Sequence, residues 1–207
     1  MPRLETIRAF VAVNLSIEAT QAVVEKRRGL LPEVEKLPMK VSWVPPSNLH
    51  VTMKFLGDID RELGDGIASA LAKAGTEIEP FEVSVGEWGS FPSAAKPRVL
   101  WVGVEDPSEG LTALHEAVER HLGELGFKKE KRSFHPHITM GRVRKGREDL
   151  SPLFEEARDD RSVSSRVEEV VLYESRLMRS GAEYRILGRA SLKAGSGEAG
   201  SGHSTSR

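Results

Sequence analysis

The sequence predicts an α+β protein with two similar lobes, mainly antiparallel sheets and a cleft between the lobes. The main indication is a repeat: residues 50–53 (HVTM, the first motif) recur as residues 137–140 (HITM, the second motif). Strand-like and helix-like segments alternate along the chain, and each rough half ends in one motif strand. The composition, with 39% hydrophobic and 29% charged residues, is typical of a globular protein.

The first half of the chain begins with a buried strand, predicted over residues 7–15, which are apolar and free of Gly and Pro. Ser16 is a suitable cap for the next helix, which we expect to end near Pro32 because proline lacks an amide donor. A short strand, the first motif strand and a helix follow, over residues 41–44, 49–56 and 61–74.

The second half begins with two strands that are expected to pair, over residues 81–85 and 98–104, with Trp88 and Phe91 in the loop between them. A helix over residues 108–125 has one apolar stripe and ends before Gly126. The second motif strand, a short helix and a two-stranded hairpin follow, over residues 135–143, 148–158, 167–177 and 184–192.

Beyond Lys193 the composition changes to Gly, Ser, Glu and Thr. Such a segment cannot bury apolar surface, so residues 194–207 are predicted to be disordered. Residues 1–193 are predicted to form a single two-lobed domain that folds without this tail.

The bulk properties exclude several classes of function. The net charge is −1, so affinity for nucleic acid must come from local patches rather than from the whole molecule. The absence of cysteine excludes disulfides, thiolate catalysis and cysteine-type zinc sites. No segment resembles a signal peptide or could span a bilayer, so we expect a cytoplasmic protein with no membrane partner.

Each motif offers an imidazole and a hydroxyl on one surface of a strand. Alternate strand residues share a face, so His50 lies beside Thr52, and the apolar residues between and after them face the core. His137 lies beside Thr139 for the same reason. Two histidines on opposite lobes form a natural acid–base pair near neutral pH, as phosphodiester hydrolysis requires, and the threonines supply donors for phosphate oxygens.

A basic cluster surrounds the second motif and suits an RNA backbone, although any one of its lysines could equally be a solvated surface residue. Its most interesting member is Arg142, which strict alternation places on the wrong face of the strand. A bulge or twist at Gly141 would re-aim Arg142 into the cleft. Four aromatic residues are candidates for stacking on a base: Trp43, Phe55, Phe91 and Tyr173. Of these, Phe55 and Trp43 are better suited to the core.

The His-Pro-His sequence at His135 and His137 has a spacing that could bind a metal. No clear carboxylate or third histidine lies nearby in the sequence, so we predict no metal here. His135 is expected to support its neighbour or the start of the strand.

The chain resembles the two-histidine (2H) phosphoesterase superfamily and, within it, the RNA 2′,3′-cyclic phosphodiesterases first described as 2′-5′ RNA ligases. The resemblance covers residues 8–192. It rests on both motifs and on four further segments in the same order: residues 8–13 (RAFVAV), 91–92 (FP), 98–104 (RVLWVGV) and 172–177 (LYESRL).

This resemblance implies a two-lobed, pseudo-symmetric α+β fold with outer helices and a metal-free, cofactor-free site in the central cleft. The implied partner is an RNA with a 2′,3′-cyclic phosphate terminus, which includes tRNA fragments, and the protein is expected to be a monomer. The implied reaction yields a 2′-phosphomonoester. His50 is the implied proton donor to the departing 3′-oxygen, and His137 is the acceptor from the attacking water. Phosphate binding is assigned to Thr52, Thr139 and Arg142.

Three alternatives stay open at this point. The same site could join RNA ends by the reverse reaction or act on another cyclic phosphate. The protein could bind RNA ends without catalysis, although binding needs cations more than a titrating pair. A metal-dependent hydrolase built on His135 and His137 is the third.

Overall fold

The computed structural model describes residues 5–158, 162–178 and 181–193. The strands are β1 Thr6–Val13, β2 Lys40–Trp43, β3 Val51–Asp60, β4 Phe81–Phe91, β5 Val99–Glu105, β6 His137–Lys145, β7 Ser164–Val167, β8 Glu169–Met178 and β9 Gly181–Ser191. The helices are α1 Ile17–Glu35, α2 Gly64–Thr76, α3 Gly110–Glu124 and α4 Ser151–Glu156. No described helix is long and apolar enough to cross a membrane.

The described strands form one antiparallel sheet with two lobes. Its order is β7-β4-β5-β6-β3-β1-β8-β9, and β2 pairs with β6 alongside β3. We call β1, β3, β8 and β9 the β3 lobe, and β2, β4, β5, β6 and β7 the β6 lobe. One paired position, Val51 opposite Ile138, joins β3 to β6 and thereby joins the lobes.

Each lobe carries its own helices. In the β3 lobe, α2 packs on β8 and β9, and α3 packs on α2 and β3. In the β6 lobe, α1 packs on β4 and β7, and α4 packs on β4. The strand order is also repeated outward from the joint, as β3-β1-β8-β9 and β6-β5-β4-β7. The predicted α+β, two-lobed fold with antiparallel strands is therefore confirmed.

The first helix begins as predicted but does not end as predicted. The Ala19 amide donates to Ser16 Oγ at 3.1 Å, so Ser16 is the cap. The helix continues through Pro32 to Glu35. Pro32 removes one helical hydrogen bond because it has no amide hydrogen, and the buried Val34 beyond it holds the last turn against the core.

Several strand boundaries also differ from the predictions. Trp88 and Phe91 lie in β4 rather than in a loop, because pairing with β5 resumes after an irregularity between Val85 and Trp88. The strand predicted over residues 167–177 is divided at Glu168 into β7 and β8. The predicted hairpin of β8 and β9 is present, whereas its turn residues 179–180 and the tail 194–207 lie outside the described residues.

Candidate active site

The joint between the lobes brings the two motifs together. Extending the antiparallel register of Val51 and Ile138 by one residue each way sets His50 opposite Thr139 and Thr52 opposite His137. Val51 and Ile138 are buried in the core, so the four polar side chains share the other face of the sheet. Met53 and Met140 are also buried behind them. The paired faces expected from strand alternation are thus observed, and they form one continuous surface.

Both imidazoles are held in the same tautomer. His50 Nδ1 lies 2.8 Å from the Asn48 carbonyl oxygen, and His137 Nδ1 lies 2.7 Å from the His135 carbonyl oxygen. Because a carbonyl only accepts, Nδ1 carries the hydrogen in each ring and Nε2 is left to exchange protons. His50 Nε2 lies 3.0 Å from Thr52 Oγ1, whose hydroxyl donates to the neutral ring.

His135 therefore supports His137 through its backbone carbonyl, which is one of the two roles that we expected for His135. Its own side chain is exposed. Within residues 5–158, 162–178 and 181–193, no three His, Cys, Asp or Glu side chains are grouped so that they could hold a metal ion.

Aromatic rings surround each histidine. The His50 ring centroid lies 4.9 Å from that of Phe10 and 5.5 Å from that of Tyr184, which meets it edge-on. His137 lies 5.1 Å from Phe91, also edge-on, and 6.0 Å from Trp101. No role was predicted for Phe10, Trp101 or Tyr184 from the sequence. Period-two alternation could have found Trp101, since Leu100 and Val102 on either side of it are buried and leave it on the opposite face of the strand. On that face it lies directly opposite Thr139 of the neighbouring strand.

This packing favours the neutral form of both histidines. Burial lowers the pKa of His50 to about 4, against a partly compensating bond to the Asn48 carbonyl. Burial also lowers the pKa of His137 below its ordinary value, and the charges of His135 and Arg142 act in the same direction. A bound anion would reverse this preference, because an opposite charge nearby favours the protonated ring.

Arg142 reaches the histidine face because β6 contains a bulge. Leu100 pairs with Gly141 and Trp101 pairs with Thr139, which leaves Met140 as an extra residue. Met140 and Gly141 are both buried, so the alternation is reversed and Arg142 shares the face of Thr139. The predicted re-aiming at Gly141 is therefore observed.

The same irregularity occurs in β3. Ala12 pairs with Thr52 and Val11 pairs with Lys54, which leaves Met53 as the extra residue. Phe55 consequently occupies the position in the first motif that Arg142 occupies in the second. Phe55 is 70% exposed, so the expectation that it belongs to the core is wrong.

A cavity of about 1430 Å³ opens beside the joined motifs. Of the five predicted site residues, Thr52 and His137 line this cavity, whereas His50, Thr139 and Arg142 do not. Of the four aromatic candidates, Phe55 and Phe91 line it. Trp43 packs against the core as expected, and Tyr173 is stacked on Phe10 and donates to Asn14 Oδ1 at 2.9 Å.

Cations dominate the wall of this cavity. The contributors include much of the basic cluster around the second motif, together with residues from the first motif strand and the β4–β5 connection: Lys54, Lys96, Arg98, Lys128, Lys129, Lys131, Arg132 and Arg147. Glu130 is the one acidic residue among the lining residues. The cluster therefore faces the cavity beside the motifs.

A buried ion pair anchors the basic segment 128–132. Lys54 Nζ lies 2.6 Å from Glu119 Oε1 and donates to the Lys128 carbonyl oxygen at 2.8 Å. The Glu130 amide donates to Glu119 Oε2 at 3.3 Å. This pair was not predicted from the sequence, since β3 and α3 are far apart in the chain.

Comparison with known proteins agrees with this geometry. The family model described as the 2′-5′ RNA ligase superfamily matches residues 18–177. An RNA 2′,3′-cyclic phosphodiesterase of Methanothermobacter thermautotrophicus is 34% identical over 180 residues, which are 86% of this chain and 95% of the relative. A Thermotoga maritima protein of the same name is 29% identical over 189 residues, covering 91% of this chain and 97% of the relative.

Solved structures give the same result. The protein TT0787 of Thermus thermophilus is similar with a TM-score of 0.74 and 27% identity, covering 91% of this chain and 100% of that one. E. coli LigT complexed with 3′-AMP has a TM-score of 0.68 and 27% identity, covering 92% and 100%. Since the family model spans both motifs and these relatives match over nearly their whole length, this chain belongs to the 2′-5′ RNA ligase superfamily.

Proposed function

We propose that this protein hydrolyses the 2′,3′-cyclic phosphate at the end of an RNA strand to a 2′-phosphomonoester. The observation that carries the proposal is the pair of imidazoles with matching tautomers on one face of the joined motif strands. The names of the relatives, RNA 2′,3′-cyclic phosphodiesterase, support the same reaction class.

The separation of the histidines suits a phosphate between them. His50 and His137 are diagonal neighbours across the antiparallel joint, a relation that sets side chains roughly 7–8 Å apart. In-line displacement needs a base for the attacking water on one side of the phosphorus and an acid for the leaving oxygen on the other.

The proposed reaction is a single displacement. His137 Nε2 takes a proton from water, whose oxygen forms a bond to phosphorus while the bond from phosphorus to O3′ breaks. Protonated His50 gives its Nε2 proton to the departing O3′, and the phosphate stays on O2′. One water is consumed, and exchange with solvent restores both histidines.

The anion itself prepares the acid. The cyclic phosphate carries a negative charge, which raises the pKa of His50 from the low value that burial gives it. Once Nε2 is protonated it no longer accepts from Thr52, so the Thr52 hydroxyl is released to donate to a phosphate oxygen. Thr139 and Arg142 donate to the same non-bridging oxygens from the second motif.

The terminal nucleoside is proposed to enter the large cavity, where the exposed Phe55 ring offers a stacking surface. The cations of residues 128–132 balance the charge of the RNA there. We further propose that the protein acts as a cytoplasmic monomer and that tRNA fragments are among its substrates. Sedimentation tests the monomeric state, and hydrolysis assays on tRNA fragments test the substrate.

The test is hydrolysis of an oligonucleotide ending in a 2′,3′-cyclic phosphate, with and without a strong chelator. We expect chelator-resistant turnover, and a loss of roughly 10²-fold or more in each of His50→Ala and His137→Ala. His121→Ala is the matched control, because His121 is bound to Glu77 and does not line the cavity. Near-normal turnover by either motif variant contradicts the proposal.

Two further readouts separate the alternatives. Phosphorus NMR of the product identifies the isomer. A predominant 3′-phosphate would mean either that the histidines exchange roles or that the nucleoside binds the other way round. RNA binding without turnover by the wild-type protein would favour a binding module, and chelator-sensitive turnover would favour a metal-dependent hydrolase.

A further inference from the structure

A second cavity, of about 590 Å³, adjoins the large one. It is lined by Pro97, Arg98 and residues 143–147 (VRKGR) at the ends of β5 and β6. Arg98 and Arg147 line both cavities, so the two are contiguous. The second cavity therefore extends the proposed site beyond the terminal nucleotide.

The charges of this second cavity are of one sign. Its lining contains four cationic side chains, from Arg98, Arg144, Lys145 and Arg147, and no acidic one. In the part of the chain that the structure describes, none of the four forms an ion pair. By contrast, several arginines elsewhere on the surface are paired, as in Arg28 with Glu25, Arg120 with Glu77 and Arg189 with Glu169.

Unpaired cations held side by side repel one another, and the protein as a whole carries almost no net charge. Their segregation here suits a polyanionic ligand. The lining includes no aromatic side chain, so it offers phosphate contacts rather than a stacking surface for a base.

The position along β6 fits a strand that continues from the active site. Arg144 is five residues beyond Thr139, which at ~3.3 Å per residue is about 16 Å. The Val143 amide donates to the Arg98 carbonyl oxygen at 2.9 Å, which ties the two strand ends together beneath the cavity. A cyclic phosphate terminates the 3′ end of an RNA, so every other nucleotide lies on its 5′ side.

We infer that the second cavity binds backbone phosphates of the nucleotides preceding the cyclic end, so that the enzyme selects oligonucleotides over cyclic mononucleotides. This inference rests on the proposed function, since the cyclic end must occupy the neighbouring cavity.

The test compares two substrates: an eight-nucleotide RNA ending in a 2′,3′-cyclic phosphate and a 2′,3′-cyclic mononucleotide. The variant is Arg144→Ala/Lys145→Ala. Its matched control is Arg28→Ala/Lys36→Ala, which also removes one arginine and one lysine, from exposed pairs on α1. Melting temperatures verify that both variants are folded.

For the oligonucleotide, we expect kcat/KM of the cavity variant to fall about tenfold at low salt, and its salt dependence to lose about 0.7 in log–log slope for each phosphate contact removed. For the mononucleotide, kcat/KM should stay within about twofold of wild type, because no phosphate reaches the second cavity. An equal effect on both substrates, or an equal effect of the control variant, overturns the inference.

A binding measurement separates this inference from the proposed function. Fluorescence anisotropy with an eight-nucleotide RNA ending in a 2′-phosphate needs no turnover. If the wild-type protein hydrolyses neither substrate, the proposed function is wrong. Weaker RNA binding by the cavity variant, but not by the control variant, would still support a phosphate track, that is, backbone phosphates bound in the second cavity. Unchanged binding by that variant contradicts the track.

Discussion

Lys54→Met tests the importance of the buried ion pair under the basic segment. The side chains of Lys54 and Glu119 are 5% and 3% exposed, and their charged atoms are 2.6 Å apart. Removing one partner of such a pair leaves the other charge buried without compensation, which costs about 3–5 kcal/mol in the free energy of unfolding. The Lys128 carbonyl loses its donor as well, which contributes ~1 kcal/mol.

Urea denaturation followed by circular dichroism measures this loss. Glu25→Gln is the control, since it breaks the exposed pair with Arg28 and should cost no more than ~1 kcal/mol. Lys54→Met/Glu119→Met removes both charges and should recover most of the lost stability, because a buried pair is often replaceable by apolar side chains.

A loss of under about 1 kcal/mol for Lys54→Met, equal to that of the exposed pair, would refute this reasoning. The reasoning would also be refuted if the double variant lost as much stability as Lys54→Met and Glu119→Met lose together when each is measured singly. That result would mean that the two charges do not interact.

Three further outcomes are expected. Gly141→Ala should lower the free energy of unfolding in urea by about 1–3 kcal/mol, because the new Cβ would lie 2.7 Å from Val41 Cγ1. Gly29→Ala in α1 should stabilise the protein, because a Cβ there meets nothing within 4 Å. Equal effects of the two variants would contradict the close packing at the bulge. The profile of kcat/KM against pH should be bell-shaped with its maximum below about pH 6.5. The reason is that burial lowers the pKa of both motif histidines, and kcat/KM reports the pKa values of the free enzyme. A maximum above neutrality would contradict the lowered pKa values. Deleting residues 194–207 should leave the melting temperature and turnover unchanged, and a fall in either would assign the tail a role.

The shared face within each motif could be predicted from the sequence because it depends only on the two-residue period of a strand. The pairing of His50 with Thr139 could not, since it follows from a single long-range contact between the lobes. Alternation gave the wrong environment for Phe55 because it assumes a regular strand, and the bulge at Met53 reverses the faces beyond it.

The loop predicted at Trp88 and Phe91 was the other error. Residues 86–92 contain two glycines and a proline, as loops often do, yet β4 continues to Phe91. Gly89 lies against the ring of Trp101, so it serves close packing across the sheet rather than a turn. Such a use of glycine depends on a side chain of the neighbouring strand, which local sequence does not specify.

Replacing the bridging 3′-oxygen of the cyclic phosphate by sulfur separates the two histidine roles most directly. A thiolate leaves without a proton, so the acid becomes dispensable while the base does not. With this substrate, we expect turnover by His50→Ala to return to within about tenfold of wild type, and turnover by His137→Ala to stay roughly 10²-fold or more below it. Rescue of His137→Ala instead, or equal impairment of both variants, would contradict an acid on the first motif and a base on the second.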